Sequence, residues 1–124
     1  MIVEDNERNL KLLRDVLGAY GYRTIEARSG EEAMAVARSS RPTLVLMDIQ
    51  LPGMDGVEAL HALRRSAELA ATPIVAVTAF VMNEDRERFL AAGFDGYLEK
   101  PVDVRALRSL VDSYLGRSAP GAEP

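Results

Sequence analysis

One stretch, residues 44–56 with the sequence LVLMDIQLPGMDG, constrains the fold more than any other part of the chain. Four consecutive apolar residues without polar alternation are typical of a short strand that is buried on both faces, as in a parallel sheet. Asp48 follows this run, and the Pro-Gly and Asp-Gly pairs after it indicate a turn that leads into a helix. Because ligands of open α/β sheets bind outside the carboxyl ends of the strands, Asp48 is a candidate binding residue. The pattern alone fits equally well an Asp that only caps the strand.

Strand and helix patterns alternate along the whole chain. Five short segments predict strands, at 1–3, 23–27, 44–47, 74–78 and 96–98, and those at 44–47 and 74–78 are the strongest because they are nearly all apolar. The helical patterns that follow them begin after good capping residues: Asn6, Ser29, Asp55 and Asp103. Gly21 is the predicted cap at the end of the first helix. This alternation predicts a five-stranded parallel sheet in the flavodoxin-like order 2-1-3-4-5, doubly wound with five helices.

Length and composition limit the class of protein. The 124 residues fit one domain, which we place at 1–117, and the Pro/Gly/Ala-rich segment 118–124 predicts a flexible tail. A net charge of −4 does not favour nucleic-acid binding. The absence of cysteine excludes disulfides and thiolate chemistry, and a single histidine excludes a histidine metal cluster. Without a membrane-spanning run or a signal peptide, we expect a cytoplasmic protein with no membrane partner.

Polar side chains follow four of the predicted strands. Glu4 and Asp5 follow the first strand, Asp48 the third, Thr78 ends the fourth, and Lys100 follows the fifth. In the predicted order these strands are neighbours, so the side chains converge. Three crowded carboxylates repel one another unless a cation is present, and hard oxygen ligands suit Mg²⁺. Since an Asp can form an aspartyl phosphate, the set predicts phosphoryl transfer assisted by a metal, a hydroxyl and an ammonium group.

The motifs that carry these residues resemble the receiver domain of two-component response regulators, the CheY-like family. The matching segments are IVEDN at 2–6, MDIQLPGMDG at 47–56, VTA at 77–79 and LEKP at 98–101. The sequences of two of these segments resemble both the receivers of hybrid histidine kinases and single-domain regulators of cell division. The resemblance implies a signalling domain that catalyses only its own phosphorylation and dephosphorylation and is otherwise not an enzyme.

The resemblance implies a role for each residue of the set. Asp48 would accept a phosphoryl group from a phosphohistidine on a histidine kinase or a histidine phosphotransfer protein. Mg²⁺, or Mn²⁺ in its place, would be held by Glu4, Asp5, Asp48 and the backbone carbonyl of Gln50. The phosphoryl oxygens would be bound by three residues at the ends of the last two strands: Thr78, Ala79 and Lys100.

The resemblance further implies a two-state switch and two protein partners. Thr78 would move inward on phosphorylation, and Tyr97 would fill the vacated space and change the surface that a downstream protein target recognises. The Lys100–Pro101 peptide bond is expected to be cis. The phosphohistidine donor would dock on the start of the first helix and the loop after the fifth strand, at residues Asn6, Arg8, Asn9, Leu12 and Val102.

Several alternatives remain open at this point. A free-standing receiver is preferred, because the chain has its own Met1 and a short tail, but a receiver from a hybrid histidine kinase or a degenerate scaffold receiver would share the motifs. A haloacid dehalogenase-type phosphatase would need an Asp where Gln50 stands. A flavodoxin would need a Ser/Thr/Gly-rich phosphate loop where Glu4 and Asp5 stand.

Overall fold

Strands and helices alternate through the residues that the computed structural model describes, which are 1–50, 56–66, 69–79 and 83–115, with the backbone only for 83–86. The strands are β1 (Ile2–Val3), β2 (Glu26–Ala27), β3 (Val45–Asp48), β4 (Ile74–Thr78) and β5 (Gly96–Glu99). The helices are α1 (Glu7–Ala19), α2 (Gly30–Ser40), α3 (Gly56–Arg64), α4 (Asn83–Ala92) and α5 (Val104–Leu115). The predicted cap Asp55 and the predicted tail 118–124 lie outside the described residues.

All the strands run parallel in the order β2-β1-β3-β4-β5, which confirms the predicted topology. One face of the sheet packs against α2 and α3 and buries Ala37 and Leu63, and the other packs against α1 and α5 and buries Leu13 and Leu107. β3 and β4 are buried along their full length, as their apolar sequences require. Within the described residues, no helix combines the length and the apolar composition that a membrane span demands.

Most predicted strand ends agree with the structure to within one residue, but the second strand and the end of the first helix differ in a way that needs an explanation. The predicted strand 23–27 is reduced to Glu26–Ala27, because a parallel ladder extends only as far as its partner and β1 offers just Ile2 and Val3. Helix α1 ends at Ala19 with Tyr20 as its cap, so Gly21 is the residue after the cap and not the cap itself. Gly21 has a φ of +87°, the left-handed conformation that glycine adopts readily.

A single arginine joins the loops that precede β4 and β5. Nothing in the sequence predicted this role. The Arg64 guanidinium donates to the carbonyl oxygens of Leu69 and Thr72 and to Asp95 Oδ2, the last at 2.7 Å. Asp95 Oδ2 also accepts the backbone N–H of Ile74 at 2.8 Å. Because Ile74 begins β4, this network fixes the origin of the strand that carries Thr78 at its other end.

Gly56 holds the start of α3 against the end of β3. Its N–H donates to the Ile49 carbonyl at 2.8 Å, which closes the turn after Asp48. A Cβ at position 56 would lie 2.7 Å from both the Asp48 carbonyl oxygen and Ile49 Cα. These are backbone atoms that cannot rotate away, so only glycine fits at this contact.

We expect the substitution Gly56→Ala to lower the free energy of unfolding by about 1–3 kcal/mol, because the added methyl forces the backbone at Asp48 to shift. Gly18→Ala is the matched control, since a Cβ there meets nothing within 4 Å. Gly18 lies within α1, so its replacement should raise stability by about 0.5–1 kcal/mol. Urea denaturation monitored by circular dichroism measures both values, and equal stability of the two variants would contradict the assignment.

Candidate functional site

Three carboxylates meet at the carboxyl edge of the sheet. Oxygens of Glu4, Asp5 and Asp48 lie within 4.8 Å of one another. β1 and β3 are adjacent, with Val3 paired to Met47, so the residues that follow Val3 lie beside Asp48. Glu4 is 1% exposed and Asp48 5%, whereas Asp5 is open to solvent. Two of the three acids are therefore shielded from the water that would otherwise stabilise their charge.

Lys100 bridges the two buried acids. Its Nζ lies 3.0 Å from Glu4 Oε1 and 3.1 Å from Asp48 Oδ2. The other oxygen of each carboxylate accepts a backbone N–H, from Asn6 to Glu4 Oε2 at 3.2 Å and from Gln50 to Asp48 Oδ1 at 3.0 Å. Each acid is thus held by the ammonium on one side and by the backbone on the other. This arrangement fixes the orientation of Asp48 before any ligand arrives.

The burial of the site perturbs its ionisation. Burial, followed by the neighbouring Asp48, raises the pKa of Glu4 to about 7, although Lys100 and the Asn6 N–H act in the opposite direction. Burial lowers the pKa of Lys100, but its hydrogen bonds to Glu4 and Asp48 outweigh this, and the pKa is raised above its usual value. Lys100 therefore stays charged at neutral pH, a single positive charge beside three acids. The remaining negative charge and the all-oxygen donor set fit a hard divalent cation such as Mg²⁺ or Mn²⁺.

The other predicted residues lie on neighbouring strand ends. Thr78 is buried at the last position of β4, and its carbonyl accepts the Lys100 N–H at 2.8 Å. Ala79 follows it and is exposed. Tyr97 lies in β5 and packs, partly buried, against the core face that α2 and α3 cover. The Lys100–Pro101 bond is cis.

Three of the predicted docking residues line one small cavity beside the acidic site. Asn9, Leu12 and Val102 share this cavity of about 50 Å³ with Glu4 and Lys100. Leu12 is 41% exposed, which leaves an apolar contact surface next to the buried acids. The remaining two docking residues, Asn6 and Arg8, are exposed at the start of α1 and are not part of the cavity lining.

This fold and this edge are those of a receiver domain, and comparison with known proteins gives the same class. The profile of the response regulator receiver domain matches residues 1–112, so the chain belongs to that family, as its motifs predicted. Among curated proteins, the chain is 49% identical to the polar-differentiation response regulator DivK of Brucella anthropi over 94% of both chains. DivK of Brucella ovis has the same identity and coverage.

Solved structures agree with this membership. A putative response regulator from Chloroflexus aurantiacus superimposes with a TM-score of 0.87 at 31% identity and covers 94% of this chain and 95% of its own. The receiver domain of the sensor histidine kinase PA1611 from Pseudomonas aeruginosa gives 0.85 at 34% identity, with 93% and 94% coverage. That domain was solved with a magnesium ion coordinated in its active-site cleft. The family is a signalling family of two-component systems rather than a group of ordinary enzymes.

Proposed function

We propose that this chain is a response regulator that accepts a phosphoryl group on Asp48 from a phosphohistidine partner and thereby switches a protein-interaction surface. One observation carries the proposal: the Asp48 carboxylate is buried and is held by Lys100 on one oxygen and the Gln50 N–H on the other. A nucleophile that is oriented in advance saves the entropy of positioning it in the transition state. Phosphoryl transfer depends mainly on such positioning and on electrostatic stabilisation.

The transfer is a simple displacement at phosphorus. A carboxylate oxygen of Asp48 attacks the phosphorus of phosphohistidine, a P–O bond forms and the P–N bond breaks. The imidazole nitrogen of the donor keeps the electron pair and is protonated from solvent. A divalent cation held by Glu4, Asp5, Asp48 and the Gln50 carbonyl would neutralise the charge that the phosphoryl oxygens bring. Lys100 already contacts Asp48, and its ammonium group would contact a phosphoryl oxygen after the transfer.

The conformational response would pass through two adjacent strands. Thr78 ends β4, Lys100 follows β5, and the backbone hydrogen bond between them links these ends. Thr78, Ala79 and Lys100 would bind the phosphoryl oxygens, and the inward movement of Thr78 would leave space for Tyr97. The downstream protein would read the resulting change in the surface near β5. The phosphohistidine donor would dock at Asn6, Arg8, Asn9, Leu12 and Val102.

A free-standing regulator is the role that we favour, since the chain is 49% identical to the response regulator DivK of Brucella anthropi. A receiver belonging to a histidine kinase is the second candidate, because the domain of PA1611, 34% identical, is of that kind. An inactive scaffold receiver is disfavoured because the acids and Lys100 are all present and in contact.

Acetyl phosphate, a small acyl phosphate donor, tests the proposal without knowledge of the partner. With MgCl₂ present, the purified chain should gain the mass of one phosphoryl group, and hydroxylamine should remove it, as expected for an acyl phosphate. Chelation of the metal with EDTA should prevent the reaction. A chain that takes no phosphoryl group from acetyl phosphate or from phosphorylated histidine kinases would refute the proposal.

We expect the affinity for Mg²⁺ to rise about tenfold between pH 6 and pH 8, because the cation competes with the proton on Glu4, whose pKa is raised to about 7. The stability of the metal-free protein should depend on pH in the opposite direction. Its Glu4 holds a proton more tightly when folded, so its stability should fall as the pH rises from about 4.5 to 7. Thermal unfolding between about pH 4.5 and pH 8 measures both effects: the metal-free series gives the stability, and the added stability with MgCl₂ gives the metal affinity.

Glu4→Gln is the control for this pH dependence, since the amide has no proton to release in the same range. The variant should bind Mg²⁺ with an affinity that is nearly constant between pH 6 and pH 8. If the unsubstituted chain also shows no dependence on pH, Glu4 does not contribute to the metal site.

A further inference from the structure

An open groove lies between α2 and α3, away from the acidic site. Its volume is about 400 Å³, enough to admit one large side chain and its neighbours. Two residues of α2 and five from α3 and the segment after it form its lining: Met34, Arg38, Ala62, Leu63, Arg65, Ser66 and Leu69. No described lining residue is acidic.

Four arginines outside the groove are paired with carboxylates in the described residues, whereas the two arginines of the groove, like Arg23, are not. Arg14, Arg28, Arg64 and Arg108 each have a carboxylate within 4.0 Å. The exposed side chains of Arg38 and Arg65, in contrast, make no hydrogen bond or ion pair in the described part of the chain. The carbonyl groups after α3, which could have engaged Arg65, are taken by Arg64 instead. Two like charges therefore line one groove with nothing described to compensate them.

Apart from Ser66, the rest of the lining is apolar and adaptable. Leu63 and Leu69 are buried and form an apolar floor, and Met34 is half-buried against the same core face. Ala62 leaves space that a larger residue on α3 would fill. Methionine adjusts its shape to varied ligands, and both methionine and arginine are enriched in protein interfaces. An apolar floor with cationic walls is complementary to an apolar side chain flanked by acidic residues.

The groove is separate from the surfaces of the proposed phosphotransfer. α2 and α3 pack on one face of the sheet, whereas α1, which carries most of the proposed donor-docking residues, packs on the other. The groove also lies near the carboxyl ends of its helices, at the edge of the sheet opposite to Asp48. A ligand there would block neither the acidic site nor α1.

We propose that this groove docks an acidic segment of a protein partner, with one apolar side chain on the Leu63 and Leu69 floor and carboxylates on Arg38 and Arg65. A ligand in the groove leaves the acidic site open, because the groove shares no residue with it. The chain can then be held by one partner while it exchanges phosphoryl groups with another. The overall charge of −4 disfavours non-specific binding of an acidic segment, so the attraction has to come from local positive charge such as that of Arg38 and Arg65.

A short peptide is the probe. An acetylated and amidated peptide with Leu-Phe between two pairs of glutamates is titrated into the ¹⁵N-labelled chain to about 5 mM, which detects weak binding. We expect saturable shifts of the amides of residues 34–38 and 62–66. The double variant Arg38→Glu/Arg65→Glu should weaken binding at least about tenfold. Arg23→Glu, which changes another exposed arginine, should bind as the unsubstituted chain does.

Further titrations distinguish an acidic-peptide site from a general polyanion site and from self-association of the chain. Addition of acetyl phosphate and MgCl₂ to the complex should leave the peptide bound, and release of the peptide would overturn the claim that one partner is held while phosphoryl groups are exchanged with another. Equal binding of a peptide with Ser-Ser in place of Leu-Phe would indicate a site for any polyanion and overturn the assignment. The assignment would also be overturned if no shifts occur, or if the double variant binds normally. Shifts of the same amides when the chain alone is concentrated would indicate self-association and would overturn it as well.

Discussion

Asp48→Asn is expected to abolish phosphorylation and to leave the fold intact. The amide is not a nucleophile, so transfer from acetyl phosphate or a phosphohistidine donor should fall at least about a thousandfold, to the background of the assay. The amide oxygen can still accept the Gln50 N–H, and the repulsion that Asp48 exerts on Glu4 disappears. We therefore expect the free energy of unfolding to change by less than about 1 kcal/mol. Phosphoryl incorporation by mass spectrometry and urea denaturation measure the two effects.

The same substitution makes a second, independent prediction about Glu4. Because Asp48 raises the pKa of Glu4, its neutralisation should lower that pKa towards the usual value. Asp15→Asn is the matched control, since Asp15 is exposed and its ion pairs in the described residues are with Lys11 and Arg14 of its own helix. This control should be phosphorylated at the normal rate. A phosphoryl group found on the Asp48→Asn chain would place the acceptor elsewhere and refute the assignment.

The regular part of the fold was accessible from the sequence because its signals are local. β1, β3 and β4 contain short apolar runs, and three of the predicted caps, Asn6, Ser29 and Asp103, accept the expected backbone N–H. The strand order then follows from general rules for parallel sheets, and with it the meeting of Asp48 and Lys100 at one edge. The candidate site was therefore predictable as a set of residues, because each lies immediately after a recognisable strand.

The features that the sequence did not reveal depend on contacts between distant segments. The role of Arg64 requires the loops before β4 and β5 to meet, and the contact of Gly56 with the end of β3 depends on how closely α3 approaches the strand. The short β2 reflects the length of its partner rather than its own composition. Likewise, the ion pair between Lys100 and Glu4 became visible only in three dimensions, although the excess of acids over cations at the strand ends pointed to it.

Lys100→Ala is expected to retain Mg²⁺ binding and to lose the conformational response. The substitution leaves the buried Glu4 and Asp48 carboxylates without their shared cation, and the pKa of Glu4 should rise further because Lys100 holds it down. At pH 8 the metal-free variant should lose about 1–3 kcal/mol of stability, the cost of leaving buried charged groups unpaired. Mg²⁺ should stabilise the variant more than it stabilises the unsubstituted chain, because it then replaces the positive charge that Lys100 provided.

The loss of the switch is measured separately from metal binding. After treatment with acetyl phosphate and MgCl₂, amide signals around Tyr97 and α4 should shift in the unsubstituted chain and stay in place in the variant, since no side chain draws the phosphoryl group towards β5. Lys11→Ala is the control, because Lys11 is the other lysine of the chain and forms an exposed pair with Asp15. If the phosphorylated Lys100→Ala chain shows the full set of shifts, Lys100 serves only to neutralise the acids, and the transmission must run through Thr78 alone.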